Sequence, residues 1–331
     1  MSALGLRLRE SNLSLTEMCR LAALAEETGY DSAWLPESHG RDAISELIVL
    51  AGATQRINLG TGIVPVFGRQ PTHAATAMAV AGIVAPGRVA LGIGIGHRGH
   101  LETAHGVTGF ARPLARTREF AQIARRLLRG ETVSHTGEIF TIGQYRVECP
   151  PPQPVPVYVA ALRPAMLRMA GAVADGVLMN WATPDRVREA IPHIHEGARK
   201  AGRDPAELRI ASYLRTCVTD DPDRVEQASR VQIARYGSME YYRNYFAEIG
   251  FADEAAALEA AWAKGDADAA AGLVDRRMIR ALTIYGTAAE CRARLAEYRE
   301  AGLALPIVAP FPIGEPVAET FERTIRGCVE G

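Results

Sequence analysis

Short apolar runs alternate with longer amphipathic segments along the whole chain. Several of the short runs are almost continuously apolar, which is typical of parallel strands that are covered on both faces. The eight predicted strands span residues 3–8, 32–35, 57–64, 88–95, 155–161, 176–181, 208–218 and 305–311. Strands that alternate with helical segments in this way indicate repeated right-handed βαβ units.

The segments between the strands carry helix start and stop signals. The start signals are Ser14 to Glu17, Thr183 with Pro184, and Thr287 to Glu290, and the stop signals are Gly29, Gly202 and Gly302. Eight βα units favour a closed (β/α)₈ barrel, the TIM barrel, over an open doubly wound sheet. We therefore expect residues 1–331 to form one barrel domain of the α/β class.

Two segments do not fit the simple alternation and are predicted to be insertions. Residues 131–148 predict a hairpin before the fifth barrel strand, and residues 238–275 predict extra helices. The second insertion begins with the aromatic residues Tyr241, Tyr242, Tyr245 and Phe246. Insertions that follow a barrel strand often shape the substrate side. A hydrophobic seam for a neighbouring helix or a second subunit explains the aromatic residues equally well.

The charge balance argues against nucleic acid or an anionic membrane as a partner. The 331 residues include 37 Lys and Arg against 38 Asp and Glu, a net charge of −1, so there is no general basic field. No apolar stretch reaches the roughly 18 residues of a membrane span, and residues 1–12 lack the apolar block of a signal peptide. Five scattered cysteines without a CxxC pair indicate a reducing compartment. We expect a cytoplasmic protein.

Barrel enzymes place their catalytic groups at the carboxyl ends of the strands. The predicted ends carry Arg7, Arg9, Glu37, His39, Gly62, Val64, Gly94, Arg98, Ala161, Arg163, Asn180, Trp181, Tyr213, Arg215 and Phe311. The chain has no GxSxG elbow and no HExxH zinc motif, and its two lysines lie in polar helical segments. Serine hydrolysis and Schiff-base chemistry therefore lack a candidate residue. We expect no bound metal, because the histidines lack an acidic partner in ligand spacing.

Three glycine-rich or small-residue segments suggest where a ligand approaches. Gly92, Gly94 and Gly96 lie inside a strand pattern and not in a dinucleotide fingerprint, which needs a helix at its last glycine. They either admit a flat ring or phosphate, or make room for bulky barrel neighbours. Residues 60–65 (GTGIVP) predict either a bulge that supports a planar ligand or an ordinary strand end. Residues 160–164 (AALRP) precede a helix and predict an anion site, although Arg163 could equally be a surface residue.

Seven segments occur in an order and spacing that is specific when they are taken together. They are residues 29–37 (GYDSAWLPE), 58–65 (NLGTGIVP), 87–97 (GRVALGIGIGH), 112–116 (RPLAR), 156–161 (PVYVAA), 174–177 (ADGV) and 285–287 (YGT). With these segments nearly the whole chain resembles the bacterial luciferase-like family of flavin and deazaflavin oxidoreductases. It looks most like the branch that uses the deazaflavin coenzyme F420, which includes the methylene-tetrahydromethanopterin reductases. The resemblance implies a (β/α)₈ barrel, usually dimeric, that transfers hydride between C5 of the deazaflavin and a small organic substrate.

The resemblance also implies roles for individual residues. Gly62 and Ile63 match a non-prolyl cis peptide bond whose bulge supports the ring, and residues 160–165 match a phosphate-binding turn. The predicted cofactor-binding residues are Thr61, Gly62, Ile63, Val64, Gly94, Gly96, His97, Ala160, Ala161, Leu162, Arg163 and Ala165. Two departures from the family pattern stand out. Glu37-Ser38-His39 stands where some relatives have an Asp-His pair, and the turn often has Gly where Leu162 or Arg163 stands.

Candidate acids and bases follow from the same comparison. His97 is the preferred acid on the substrate side, because a histidine that titrates near pH 6.5 is suited to proton transfer at neutral pH. Glu37 and His39 are candidates for controlling the protons of the deazaflavin itself. The predicted substrate-binding residues are Arg9, Trp181, Tyr213 and Phe311. The resemblance leaves two alternatives, an FMN-dependent monooxygenase and a barrel that binds a cofactor or phosphorylated ligand without redox turnover.

Overall fold

The computed structural model describes residues 3–37 and 40–329 of the chain. The strands are β1 (Gly5–Arg7), β2 (Ser32–Leu35), β3 (Asn58–Thr61), β4 (Val64–Pro65), β5 (Val89–Gly94), β6 (Val133–Thr136), β7 (Thr141–Tyr145), β8 (Val157–Ala160), β9 (Gly176–Asn180), β10 (Arg209–Val218), β11 (Thr283–Gly286) and β12 (Leu305–Ala309). The helices are α1 (Leu15–Glu27), α2 (Ala43–Ala53), α3 (Pro71–Val84), α4 (Arg98–His105), α5 (Pro113–Leu128), α6 (Pro164–Val173), α7 (Pro184–Lys200), α8 (Pro222–Gly237), α9 (Glu240–Glu248), α10 (Ala252–Trp262), α11 (Ala267–Gly272), α12 (Arg276–Leu282), α13 (Ala288–Glu300) and α14 (Val317–Gly327). A single 3₁₀ turn, Pro205–Glu207, precedes β10.

Eight parallel strands close into a barrel. Their order is β1, β2, β3, β5, β8, β9, β10 and β12, and β12 pairs again with β1. Gly5 of β1 illustrates the closure, since it is opposite Ser32 on one side and Ile307 on the other. The predicted (β/α)₈ TIM barrel is confirmed, and each of the eight predicted strands contains an observed one. The third predicted strand is divided, because the ladder between β3 and β5 stops at Gly60 and resumes as β4 beside Ile93.

Large rings and glycines alternate inside the barrel. Trp34 of β2 and Tyr158 of β8 meet edge to face, with ring centroids 5.0 Å apart. A Cβ on Gly60 would come within 2.5 Å of the Trp34 ring, and one on Gly176 would overlap the Tyr158 ring. The two glycines therefore make the space that the two rings fill, as the taper of a small barrel requires. Tyr213 belongs to the same buried cluster, and Ile63 packs against it.

The helices begin and end where the sequence signals them. Ser14 and Thr287 form complete capping boxes, and the Thr183 side chain accepts a hydrogen bond from the Arg186 amide. The three predicted stop glycines have φ of +70° to +97°, a conformation that side chains with a Cβ rarely adopt. The element boundaries therefore agree with the local sequence signals.

Both predicted insertions are present. β6 and β7 pair antiparallel within residues 131–148, and α9 to α11 fill residues 238–275. The short strand β11 was not predicted, and it pairs with the carboxyl half of β10 outside the barrel order. Within the described ranges, no helix has the length and apolar character needed to cross a bilayer. The cytoplasmic location stays a prediction.

Candidate active site at the carboxyl ends of the barrel strands

The break between β3 and β4 is held from both sides. The peptide bond between Gly62 and Ile63 is cis, as the resemblance implied. The Thr61 hydroxyl donates to the Gly92 carbonyl (2.9 Å) and accepts from the Gly92 amide (2.8 Å). From the barrel interior, the Tyr213 hydroxyl donates to the Gly62 carbonyl (2.8 Å). Thr61 and Tyr213 therefore supply the hydrogen bonds that the interrupted ladder lacks.

The glycines of β5 have different neighbours. A Cβ on Gly92 would overlap the Thr61 carbonyl oxygen. The absence of a side chain at Gly92 therefore allows β3 to lie this close to β5. A Cβ on Gly94 would lie 2.9 Å from the Ala160 Cβ and 3.1 Å from Ile63 Cγ1. Three predicted cofactor-binding residues are thus brought together at one side of the barrel mouth. Gly96 has φ +72° and so makes the turn from β5 to α4, while Val64 is buried opposite Ile93.

His97 is the N-cap residue of α4 and its side chain is exposed. Its ring meets the rings of Tyr236 and Tyr242 edge on, at centroid distances of 5.8 and 5.9 Å. Tyr236 comes from the end of α8 and Tyr242 from α9. The aromatic insertion therefore packs against the barrel mouth, which supports its interpretation as part of the substrate side.

A buried arginine lies beneath these rings. Arg215 of β10 donates to the Asn180 side-chain oxygen (2.8 Å) and to the Tyr236 hydroxyl (3.3 Å). Its guanidinium carbon is 4.2 Å from the Trp181 ring centroid. Arg215 is 6% exposed, and burial lowers its pKa. In the described ranges no Asp or Glu forms an ion pair with it.

Trp181 directly follows β9, and its ring lies against the guanidinium of Arg215. It is buried, and its backbone is left-handed with φ +54°. Its indole Nε1 is buried and has no hydrogen-bond partner among the described residues. A buried indole N–H usually has an acceptor, so a ligand oxygen that reached this donor would supply the missing hydrogen bond.

The predicted phosphate turn follows β8. Ala161 and Leu162 are buried, Ala165 is exposed, and Arg163 is the N-cap of α6 without a side-chain cap. The Arg163 guanidinium forms an ion pair with Glu248 of α9 (2.9 Å) and lies 5.2 Å from the Tyr241 ring centroid. Its Nε is buried without a partner in the described part of the chain. The helix terminus is therefore open to an anion, but Glu248 competes for the arginine.

Glu37 lies outside the break in the third strand. Its amide donates to the Ile63 carbonyl (3.1 Å), and its carboxylate accepts from Arg69 (2.8 Å). It lines a recess of about 580 Å³ beside the barrel mouth. Other residues of this recess include Asp42, Pro65, Phe67, Arg69, His100, His105 and Arg116. His39, the third predicted acid or base, lies outside the described residues.

Three of the predicted substrate-binding residues have buried partners of their own. Arg9 is 1% exposed and donates to Glu46 of α2 (2.6 Å). Phe311 is buried in a small cluster with Cys217, Val225 and Ile313, and Tyr213 bonds to Gly62. The fourth, Trp181, packs against the Arg215 guanidinium. The sequence analysis placed Asn180 and Arg215 at strand ends but gave them no role. Tyr242 was indicated as a site residue by the cluster of aromatic residues after residue 238.

The donors at this mouth suit an anionic ligand that has acceptor oxygens. Among residues 3–37 and 40–329, Trp181 Nε1 and Arg163 Nε are buried without acceptors, and no carboxylate forms an ion pair with Arg215. Arg163 belongs to the turn that the resemblance assigns to the phosphate, and Ile63, Gly94 and Ala160, which the resemblance assigns to the deazaflavin cofactor, lie together at the same mouth. The residues present therefore fit such a group. No cluster of three or more potential metal-ligating side chains occurs among the described residues.

Comparisons with known proteins extend over almost the whole chain. A family model described as luciferase-like monooxygenase matches residues 2–305. The 5,10-methylenetetrahydromethanopterin reductase of Methanolobus tindarius is 34% identical over 302 residues, which cover 90% of this chain and 91% of that protein. These two matches agree in extent with the observed barrel.

Two solved structures resemble the fold. The coenzyme F420-dependent tetrahydromethanopterin reductase from Methanopyrus kandleri has a TM-score of 0.85 and 26% identity, covering 98% of this chain and 97% of its own. An F420-dependent secondary alcohol dehydrogenase, solved with an F420–acetone adduct, has a TM-score of 0.78 and 21% identity, covering 99% of both chains. At that lower identity the second likeness concerns the fold alone.

Proposed function

Because the chain belongs to the luciferase-like monooxygenase family and is an oxidoreductase, we propose that it uses coenzyme F420 to transfer hydride to a small organic substrate. Support for the cofactor comes from the F420-dependent reductase of Methanopyrus kandleri, whose likeness covers nearly the full length of both chains. When bound, the deazaflavin supplies or accepts hydride at C5. The protein's part is to position the reactants, exclude water and supply a proton.

The observation that carries the proposal is the buried charge of Arg215. A guanidinium without a carboxylate partner is costly to bury, and the partners of Arg215 among the described residues are Asn180, Tyr236 and the Trp181 ring, none of which carries a negative charge. A negatively charged ring, or a substrate atom that gains negative charge, would offset that cost. We assign the neighbouring surface of Ile63, Gly94 and Ala160 to support of the ring.

The anionic part of the cofactor is proposed to bind at the start of α6. The first amides of that helix have no side-chain cap, and Arg163 is the adjacent cation. A helix N-terminus favours negative charge through its unsatisfied N–H groups and its dipole. Binding of a phosphate there requires Arg163 to leave, or to share, its ion pair with Glu248.

Proton transfer is assigned to His97. It is exposed at the mouth, and its ring lies against the rings of both Tyr236 and Tyr242. That position allows it to protonate the substrate atom that gains electrons when a C=C, C=N or carbonyl group is reduced. Glu37, which is paired with Arg69, and His39 keep their proposed role toward the protons of the cofactor.

We further propose that two copies of the chain form a homodimer through α2 and α3. Val49 of α2 and Val80, Ile83 and Val84 of α3 are each 46–48% exposed. These two helices contain no Asp, Lys or Arg, and their single Glu, Glu46, is buried. An apolar face of this kind is typical of an interaction surface.

The cofactor proposal is tested by mixing the protein with reduced F420 or reduced FMN, each with and without air. We expect deazaflavin binding, and return of its oxidised absorption band when a suitable carbonyl, imine or conjugated alkene is added without oxygen. Oxygen-dependent substrate oxidation with FMN, and none with F420, would establish the monooxygenase alternative. Tight F420 binding without oxidation by any acceptor would favour a binding protein.

A further inference from the structure

The hydrogen bonds around Arg215 fix the orientation of Asn180. A guanidinium has only donors, so the Asn180 atom 2.8 Å from Arg215 must be its oxygen. The amide nitrogen of Asn180 then faces the Tyr242 hydroxyl at 2.9 Å and donates to it. The side-chain orientation follows from the arginine and needs no further assumption about the amide.

Both tyrosine hydroxyls at the mouth therefore act as acceptors inside the protein. Tyr242 accepts from Asn180, and Tyr236 accepts from Arg215 (3.3 Å). A phenol has one O–H to donate, and neither hydroxyl donates to any residue in the described ranges. Burial raises the pKa of Tyr242, so its O–H stays protonated and available.

The positive charge of Arg215 acts on both phenols. It bonds directly to Tyr236 and through Asn180 to Tyr242. A hydroxyl that accepts a bond from a cation becomes a stronger donor, because hydrogen bonds in a chain polarise one another. The two rings are perpendicular, 4.7 Å apart, and both border His97.

We propose that Tyr236 and Tyr242 are a pair of hydrogen-bond donors to the substrate oxygen that becomes negative during reduction. This inference deepens the proposed function and rests on it. The substrate class it names is a ketone, an aldehyde or an α,β-unsaturated carbonyl compound. Preorganised donors of this kind stabilise a developing oxyanion more than they stabilise the neutral carbonyl.

Reduction of a carbonyl group needs a hydride for the carbon and a proton for the oxygen. When bound, the reduced deazaflavin would supply the hydride to the carbonyl carbon and would itself be oxidised by two electrons. The new C–H bond forms as the π electron pair of the C=O bond moves to oxygen. Tyr236 and Tyr242 donate to that oxygen, and the protonated His97 ring then transfers its proton to it. In a conjugated substrate, the electron pair reaches the same oxygen through the enolate.

The same charges disfavour a cationic substrate. An iminium carbon loses its positive charge when it accepts hydride, so it needs no donors and gains nothing from them. Arg215 would repel it, because the described part of the chain places no carboxylate in an ion pair with that guanidinium. Discrimination between the two substrate classes is therefore a property of the Arg215, Asn180 and tyrosine network.

Binding of 4-nitrophenol tests the donor pair without turnover, since its ionised form has a separate visible absorption band. The probe is titrated into the protein with and without oxidised F420. We expect the bound phenol to be more ionised than the free phenol at the same pH. Tyr236→Phe and Tyr242→Phe should each lower the ratio of ionised to neutral bound probe about tenfold, as loss of a hydrogen bond to a charged group implies.

Two further variants make the result specific. Tyr145→Phe removes a phenol of the inserted hairpin, whose bond in the described ranges is to Thr76 of α3, and should leave the ratio unchanged. Asn180→Asp keeps both phenols, but the introduced carboxylate neutralises Arg215 and accepts the Tyr242 O–H, so the ratio should fall. Equal ionisation in wild type, both phenylalanine variants and Asn180→Asp would overturn the inference. Failure of F420 to bind would instead contradict the proposed function and leave the probe result standing.

Turnover gives the second test once a carbonyl substrate is found. Tyr236→Phe and Tyr242→Phe should lower kcat about 10²-fold, the scale seen when one oxyanion donor is removed, with KM changed less than about threefold. Equal losses in KM and kcat would show that the phenols bind the ground state. Faster turnover of an iminium than of any carbonyl substrate would overturn the substrate class.

Discussion

The polar residues at the barrel mouth differ in whether the protein itself provides partners for their hydrogen-bonding groups and charges. Thr61 and Tyr213 have partners on the neighbouring strands, and their hydrogen bonds hold the break in the third strand. Arg215, Trp181 and Arg163 keep a charge or a donor that the fold leaves unbalanced. Unsatisfied buried polar groups are rare in proteins because each is costly. Buried polar atoms without partners also occur elsewhere in the described ranges, and the mouth is distinguished by having two such donors near the buried guanidinium of Arg215.

His97 is expected to affect turnover more than cofactor binding. The variant His97→Ala removes the proposed proton donor but leaves Ile63, Gly94 and the start of α6 unchanged. We expect kcat to fall about 10²-fold or more, and the F420 dissociation constant to change by less than about threefold. Steady-state kinetics and fluorescence titration measure the two quantities. Wild-type turnover in this variant with the true substrate would show that His97 is not the donor.

Arg163 is expected to behave in the opposite way. Arg163→Gln removes the cation beside the α6 terminus and should weaken F420 binding about tenfold, with little change in kcat. Glu248→Gln should strengthen binding, because it frees Arg163 from its present ion pair. Calorimetric titration at two salt concentrations measures both effects. Arg112→Gln, at an exposed ion pair with Glu138, is the control, and a matching loss there would contradict the assignment.

The sequence identified some of these residues and missed others for a physical reason. Gly62 and Ile63 follow β3 directly and Gly94 ends the neighbouring strand β5, so their proximity follows from the barrel itself. Tyr236 was missed, because its position depends on how α8 and α9 fold back over the mouth. The pairing of Arg163 with Glu248 likewise joins segments far apart in the chain. Contacts of that kind leave no periodic pattern in the sequence.

At the scale of elements, local signals were sufficient for most boundaries. Capping boxes, first-turn prolines and stop glycines located the helices, and apolar runs located the eight strands. The exception is β11, whose four residues (Thr283–Gly286) include no long apolar run and pair beyond the barrel order. The division of the third strand also depends on long-range bonds from Thr61 and Tyr213. Such features follow from packing and not from local propensity.

The junction of β3 and β5 is expected to depend on one hydroxyl. Thr61→Val keeps the side-chain shape but removes both bonds to Gly92. The buried amide and carbonyl of Gly92 would then lack these partners, at a cost of about 2 kcal/mol in the free energy of unfolding. Urea denaturation measures the change. Thr76→Val, at an exposed position of α3, should have a much smaller effect, and equal midpoints for Thr61→Val and wild type would refute the prediction.

The inserted hairpin is expected to depend on Glu119 and on pH. Burial alone would raise the pKa of Glu119, but bonds from the amides of Phe140, Ile139 and Glu138 and from His135 lower it. A carboxyl whose pKa is lower in the folded state stabilises that state above its unfolded pKa, about 4.3. This contribution is lost as the pH falls through the folded pKa.

Glu119→Gln should therefore destabilise the hairpin at pH 7, by about 2 kcal/mol if the bonds to the charged group are lost. The difference from wild type should begin to shrink below about pH 4 and vanish once the pH falls through the lowered pKa of the folded carboxyl. Hydrogen exchange at the three amides reports the local effect across this range. A difference that stays constant from pH 7 to pH 3 would show that the charge of Glu119 does not contribute.

At the scale of the whole molecule, the outer surface formed by α2 and α3 exposes apolar side chains. The exposed valines and isoleucine of α2 and α3 lie on adjacent helices of the barrel's outer layer. We expect Val80→Glu to convert a wild-type dimer into monomers, because a carboxylate in an apolar interface is costly to desolvate. Light scattering after gel filtration measures the mass. Val231→Glu, on α8 at 59% exposure, is the matched control, and a monomeric wild type would refute the homodimer.

The nine residues of α9 contact both ends of the proposed ligand site. Tyr242 lies at the rings beside His97, while Tyr241 and Glu248 lie at Arg163. None of these residues belongs to a barrel strand, so substitutions among them leave the strand ladder and its interior rings intact. Substitutions in this one short helix can therefore change which compounds the protein accepts. A variant library confined to α9 is the smallest one that would reach both ends of the ligand site in a search for new hydride acceptors.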